Sequence, residues 1–141
     1  MPYREKIAWL SLIAMLLTFG PYFAVVKAGV FQNDALPNLR QLAVYAAAAL
    51  TQVVLLGIGH LYLRLRTPDE ARTPLDERDR AIKYRSMSYA YGVLIGGMIL
   101  VGVIMPFNYA GWSIVNAALF MIVLAEVVHC CAIVASYRRQ A

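Results

Sequence analysis

Apolar residues gather along the chain into four blocks, Ile7–Val26, Gln41–Leu63, Ser86–Met105 and Trp112–Tyr137, with short, more polar segments between them. Each block reaches the roughly 20 residues that a membrane-spanning helix needs. A helix of a soluble bundle carries a polar stripe that recurs at the helical period along one face, and none of the four blocks shows one. The pattern predicts an all-α integral membrane protein, a four-transmembrane-helix antiparallel bundle. It forms one domain over residues 1–141, with helices near 7–26, 41–63, 74–105 and 112–137 and a cytoplasmic loop over 64–85.

The breakers between blocks sharpen this outline. Gly20-Pro21 lies inside the first span and predicts a kink, which neighbouring helices can tolerate. The first outer loop, AGVFQNDALPNLR, carries turn chemistry at Gly29, Asn33-Asp34 and Pro37. Pro106 stops the third span, and the hairpin PFNYAGW is so short that the third and fourth spans must be antiparallel neighbours. In the polar segment, Thr67-Pro68-Asp69-Glu70 and Thr73-Pro74-Leu75-Asp76 both read as helix starts: a threonine cap, proline at the first position, acid soon after. The second start predicts one long helix from Pro74 through Met105, its protruding turns supported by the i,i+4 pairs Asp76–Arg80 and Asp79–Lys83.

Composition agrees with a membrane class: 61% of the residues are hydrophobic and 15% charged, against about 25% charged in a typical soluble domain. Arg4 and Lys6 before the first block give it the look of a signal peptide. Its apolar run is longer than an h-region and no small-x-small site ends it, so it reads as a retained helix. The net charge of +5 does not point to nucleic acid, because its distribution follows the spans. Of the 13 basic residues, all but Lys27 and Arg40 fall before the first span, between the second and third, or after the fourth. By the positive-inside rule both termini and the central loop are cytoplasmic.

Polar residues inside the spans are the candidates for chemistry. Helical rise places Glu126 about 16 Å and His129 about 12 Å from the cytoplasmic end of the fourth span. Gln52 and Thr18 fall at the level of Glu126, and His60 lies nearer the interface. A carboxylate at that depth is costly and usually faces the bundle interior, where it marks a proton or ion path. Glu126, His129 and His60 then form a ladder toward the cytoplasm. The competing expectation is a packing device, Glu126 hydrogen-bonded to Gln52 or Thr18 and worth about 0.6–2 kcal/mol. Glu126-x-x-His129 has the spacing of a metal-bearing helix, but the spanning parts of the other helices bring no second glutamate, and no metal or cofactor is expected. Cys130 and Cys131 point about 100° apart on a helix and should be free thiols. Gly92-x-x-x-Gly96 allows close helix packing, within the chain or against a second copy.

Two resemblances follow from particular segments. PLDERDRAIKYRSMSYAY resembles a group of small uncharacterised bacterial four-helix membrane proteins that carry a similar Asp-Glu-Arg-Asp motif in a central cytoplasmic loop. That resemblance implies the topology and no activity. MIVLAEVVHCCAIVAS is similar to the glutamate-bearing helix of small multidrug resistance transporters, which implies proton-coupled export; there the glutamate lies in the first helix, whereas here Glu126 lies in the fourth.

The resulting expectation is a multi-pass protein of the bacterial inner membrane. Its first functional reading is a non-enzymatic accessory, sensor or regulatory protein. It would meet a cytoplasmic or membrane protein partner through Asp76, Glu77, Arg78, Asp79 and Arg80. The alternative is a small proton- or cation-coupled transporter that uses Glu126, as a homodimer in the lipid bilayer.

Overall fold

The computed structural model describes residues 3–31, 38–72, 74 and 76–139. Among these residues the chain is helical, without strands. Four long helices, α1 (Tyr3–Lys27), α2 (Leu39–Arg66), α4 (Glu77–Ile99) and α5 (Trp112–Arg138), are joined by turns and by the five-residue helix α3 (Pro68–Arg72). All four are long and apolar enough to cross a membrane. Asn33, Asp34, Pro37 and Thr73, each assigned a turn or cap from the sequence, lie outside the described residues.

Local chemistry explains the boundaries. Asn38 caps α2: its side-chain oxygen accepts from Gln41 N at 2.9 Å, and its amide nitrogen donates to Phe31 O at 3.2 Å, fastening the preceding turn to the helix. A helix does start at Thr67-Pro68, the short α3 with Pro68 as its first residue, and Thr67 also ends α2. Its backbone N–H and its hydroxyl both bond Leu63 O, at 3.0 and 2.8 Å. The helix expected from Pro74 begins only at Glu77, because Asp76 is the residue in extended conformation whose carboxylate accepts from Glu77 N at 2.7 Å. Glu77 and Asp79 in the first turn then complement the helix dipole.

α4 does not simply stop. It widens into a π turn at Leu100–Ile104, where Met105 N–H reaches Leu100 O, and tightens into a 3-10 turn at Met105–Phe107. Pro106 is the cause, since it offers no N–H to the carbonyl four residues back and its ring crowds that carbonyl. Gly111, at φ 60°, takes a left-handed conformation that opens α5.

The helices alternate in direction and stand in the spatial order α2–α1–α5–α4. α1 packs on α2 and α5, and α5 packs on α1 and α4, while α2 and α4 barely touch. The array is therefore open along one side instead of closed into a ring. Its core runs along the α1–α5 seam, where Ala8, Leu12, Met15 and Phe19 meet Cys130 and Val134. Two glycines allow close approach. A Cβ on Gly97 would stand 2.7 Å from Met121 on α5, and one on Gly59 would strike Leu10 on α1. Gly92 and Gly96, expected to pack against a helix, are exposed and have nothing of this chain within 4 Å of a Cβ position. No internal contact uses them.

Candidate functional site

Two polar clusters pin the array at its ends. At the end bearing both termini, Tyr137 donates to Asp79 at 2.5 Å and Arg4 pairs with the other oxygen of Asp79 at 3.2 Å, so one carboxylate joins α1, α4 and α5. Beside it, buried Glu5 meets Arg138 at 3.5 Å, and the Arg138 guanidinium lies 5.3 Å from the Trp9 ring centroid. At the opposite, hairpin end, Asn116 Oδ1 accepts from Tyr22 at 3.0 Å and from Gln41 Nε2 at 2.7 Å. That network joins α1, α2 and α5. Neither cluster was assigned from the sequence. Glu5 within a basic flank and Asn116 within an apolar span were the available signals.

Between the ends lies a cavity of about 390 Å³. All four long helices border it: α1 through Arg4, Ser11 and Met15, α2 through Leu56, α4 through Asp79, Ile82 and Lys83, and α5 through Glu126, His129 and Tyr137. Counting helical rise from Tyr137 to Glu126, it extends roughly 16 Å along the helices. Charge is concentrated toward the terminal end, in Arg4, Asp79 and Lys83. Beyond it the lining is mostly apolar, with Ser11 and His129 among it, and Glu126 stands at the far end.

Glu126 does not make the bond expected of it. Thr18 Oγ1 donates to Gln52 Oε1 at 2.8 Å and also lies 2.9 Å from Ala14 O, closing a polar contact between α1 and α2 alone. Glu126 bonds neither residue: Thr18 is turned to Gln52, and α1 stands between α2, which carries Gln52, and α5. It is exposed on the cavity wall, with no hydrogen-bond or ion-pair partner among the described residues. His129 shares that wall, its Nδ1 buried and unpartnered, and Gln52 Nε2 is likewise buried without a partner. Buried polar atoms are rarely left unmatched, so His129 Nδ1 and Gln52 Nε2 stand out.

His60 is not part of this arrangement. Its Nδ1 lies 2.8 Å from Leu56 O one turn back on its own helix, which makes Nδ1 the protonated nitrogen. It does not line the cavity, so the ladder from Glu126 through His129 to His60 is not formed. The Asp-Glu-Arg-Asp segment is divided. Asp76 is spent on the helix cap and Asp79 on Arg4 and Tyr137, in place of the local pairs with Arg80 and Lys83. Glu77, Arg78 and Arg80 remain exposed. Both cysteines are free thiols, Cys130 buried and Cys131 exposed. Among the described residues no three His, Cys, Asp or Glu side chains gather closely enough to hold a metal ion.

The fold and the cavity define a class, small all-helical proteins with four long apolar helices bordering a partly charged cavity. No known protein family, curated protein or solved structure matches the chain.

Proposed function

We propose that this chain is a multi-pass membrane protein of the bacterial cytoplasmic membrane, with both termini inside, and that it takes up a proton or small cation at Glu126. Membrane residence is supported by what the long helices leave uncovered. Only 6% of the most apolar window of α2 is buried, and Leu50, Val53 and Leu65 of that helix are each about two-thirds exposed. Water would penalise that surface at ~25 cal/mol per Å², whereas acyl chains do not. Orientation rests on the basic residues, which crowd the end carrying both termini.

One observation carries the functional reading: Glu126 lines a cavity and has no hydrogen-bond or ion-pair partner among the described residues. A carboxylate kept for packing would be hydrogen-bonded across a helix seam, and that structural position is taken by Thr18 and Gln52. An unmatched carboxylate in an apolar span is the arrangement of a group that exchanges protons or ions. The accessory reading is less favoured, because the two aspartates of its charged segment are engaged inside the chain. Exposed Glu77 and Arg80 are what that reading retains for a protein partner.

Infrared spectroscopy of the protein in lipid nanodiscs tests the proposal. A carboxylic-acid carbonyl band should be present, disappear at high pH and be missing from Glu126→Gln. A Glu126→Gln spectrum identical to that of the parent at every pH would overturn it.

A further inference from the structure

The cavity changes character along its length. Its charged groups other than Glu126 stand at the terminal end: Arg4, Asp79 and Lys83. Asp79 already accepts from Tyr137 and pairs with Arg4, so the rim carries one excess positive charge. That charge is on Lys83, which is exposed and has no ion-pair partner among the described residues. Further in, the walls are formed largely by Ile7, Ile133, Met15 and Leu56, side chains that offer a ligand no hydrogen bond. Glu126 stands beyond them. A volume of about 390 Å³ falls within the ~300–1,000 Å³ of small-molecule sites, which combine such walls with a few placed polar groups.

A single hydrocarbon chain with an anionic head matches that order. We propose that the cavity binds an amphiphilic anion of the fatty-acid class, its head on Lys83 beside Arg4 and its tail along Ile133, Met15 and Leu56 toward Glu126. In the orientation proposed above, head and tail then lie as they do in a lipid of the inner leaflet. A seated tail removes water from the Glu126 carboxylate, and the cost of a dry, unpaired charge favours the protonated form. The carboxylate takes a proton from water as its O–H bond forms, so anion and proton are bound together with no net charge. By linkage, the proton strengthens anion binding as much as the anion strengthens proton binding. The titratable and charged groups that share the cavity with this carboxyl group are Arg4 from α1, Asp79 and Lys83 from α4, and His129, Cys130 and Tyr137 from α5; α2 contributes only Leu56. The inference rests on Glu126 as the proton site and adds the ligand whose binding draws the proton on.

Dodecanesulfonate is the probe, because its head stays ionised across the neutral range and it has no carbonyl band of its own. Titrated into the full chain in nanodiscs of zwitterionic lipid, it should saturably raise the midpoint of the Glu126 carboxylic-acid band by about one pH unit or more. The equivalent gain is about tenfold tighter binding to the protonated protein. Glu126→Gln should still bind the probe, without the dependence on pH. Lys83→Gln should weaken binding about tenfold or more, and Lys83→Arg should retain it. Butanesulfonate, whose chain stops short of Glu126, should leave the band where it is. Equal binding of dodecyltrimethylammonium, or undiminished binding to Lys83→Gln, overturns the proposal and leaves the cavity to a chain of bilayer lipid. A Glu126 band that titrates with pH but does not move with dodecanesulfonate defeats the anion and spares the proton site. Absence of any Glu126 band defeats both.

Discussion

Tyr137, at the last turn of α5, holds Asp79, in the first turn of α4, through a 2.5 Å hydrogen bond, and Arg4 reaches the same carboxylate from α1. A residue that reads as part of a docking motif is thus the fastener of three helices. Tyr137→Phe should lower stability by about 1.5–3 kcal/mol, the range for a hydrogen bond to a charged group. Amide exchange should rise over Glu77–Ile82. Arg80→Ala, at an exposed neighbour, should stay within about 0.5 kcal/mol of the parent. Equal effects of the two substitutions in a detergent unfolding titration would show that Asp79 fastens nothing.

The Thr18–Gln52 bond can be weighed by a double-mutant cycle. Thr18→Val and Gln52→Leu should each destabilise, and the pair together should cost less than their sum by about 0.6–1.7 kcal/mol. Strict additivity would mean that the contact is geometric only.

The glycines separate into two kinds. Gly97→Val places bulk against Met121 and should destabilise by about 1–3 kcal/mol, as overpacking does. Gly92→Ala and Gly96→Ala meet nothing of the chain and should be neutral or stabilising by up to about 1 kcal/mol, from helix propensity alone. Loss of stability at Gly96, accompanied by a smaller particle in analytical ultracentrifugation, would reveal a second copy packed on that face.

At the hairpin end, Asn116→Leu removes the acceptor of both Tyr22 and Gln41. Gln41 is 2% exposed, so its amide nitrogen is left without its strong partner. The expected cost is about 1–3 kcal/mol, read as a fall in thermal midpoint in nanodiscs. An unchanged midpoint would show that water already serves these groups.

Topology is open to labelling. On a background with Cys130 and Cys131 replaced by alanine, Asn108→Cys should react with an impermeant maleimide in intact cells, and Ala71→Cys only after the cells are opened. Reaction of Ala71→Cys in intact cells would invert the assigned orientation and remove the basis for a cytoplasmic mouth.

Hydrophobic length is a property of the chain taken one residue at a time, so the number of long helices and their approximate limits were legible before any fold was known. The same holds for the antiparallel pairing of α4 and α5, which a turn as short as the one around Gly111 enforces by reach alone, and for the presence of a lone carboxylate in the last span. Which helix stands beside which is another matter. All four helices are apolar on every side, and such surfaces specify no neighbour. Small differences in packing, such as Gly97 under Met121 and Gly59 under Leu10, selected the order α2–α1–α5–α4. That order placed α1 between Gln52 and Glu126, turned Glu126 into a groove, and brought Asp79 to Arg4 and Tyr137. The start of α4, read at Pro74 from the sequence, falls at Glu77 for a related reason. Thr67, Thr73 and Asp76 are each acceptable caps locally, and Asp76 opens the helix whose first turn carries Asp79 to that clamp. Local preferences of a few tenths of a kcal/mol yield to tertiary bonds several times stronger, and those bonds connect residues that the sequence keeps far apart.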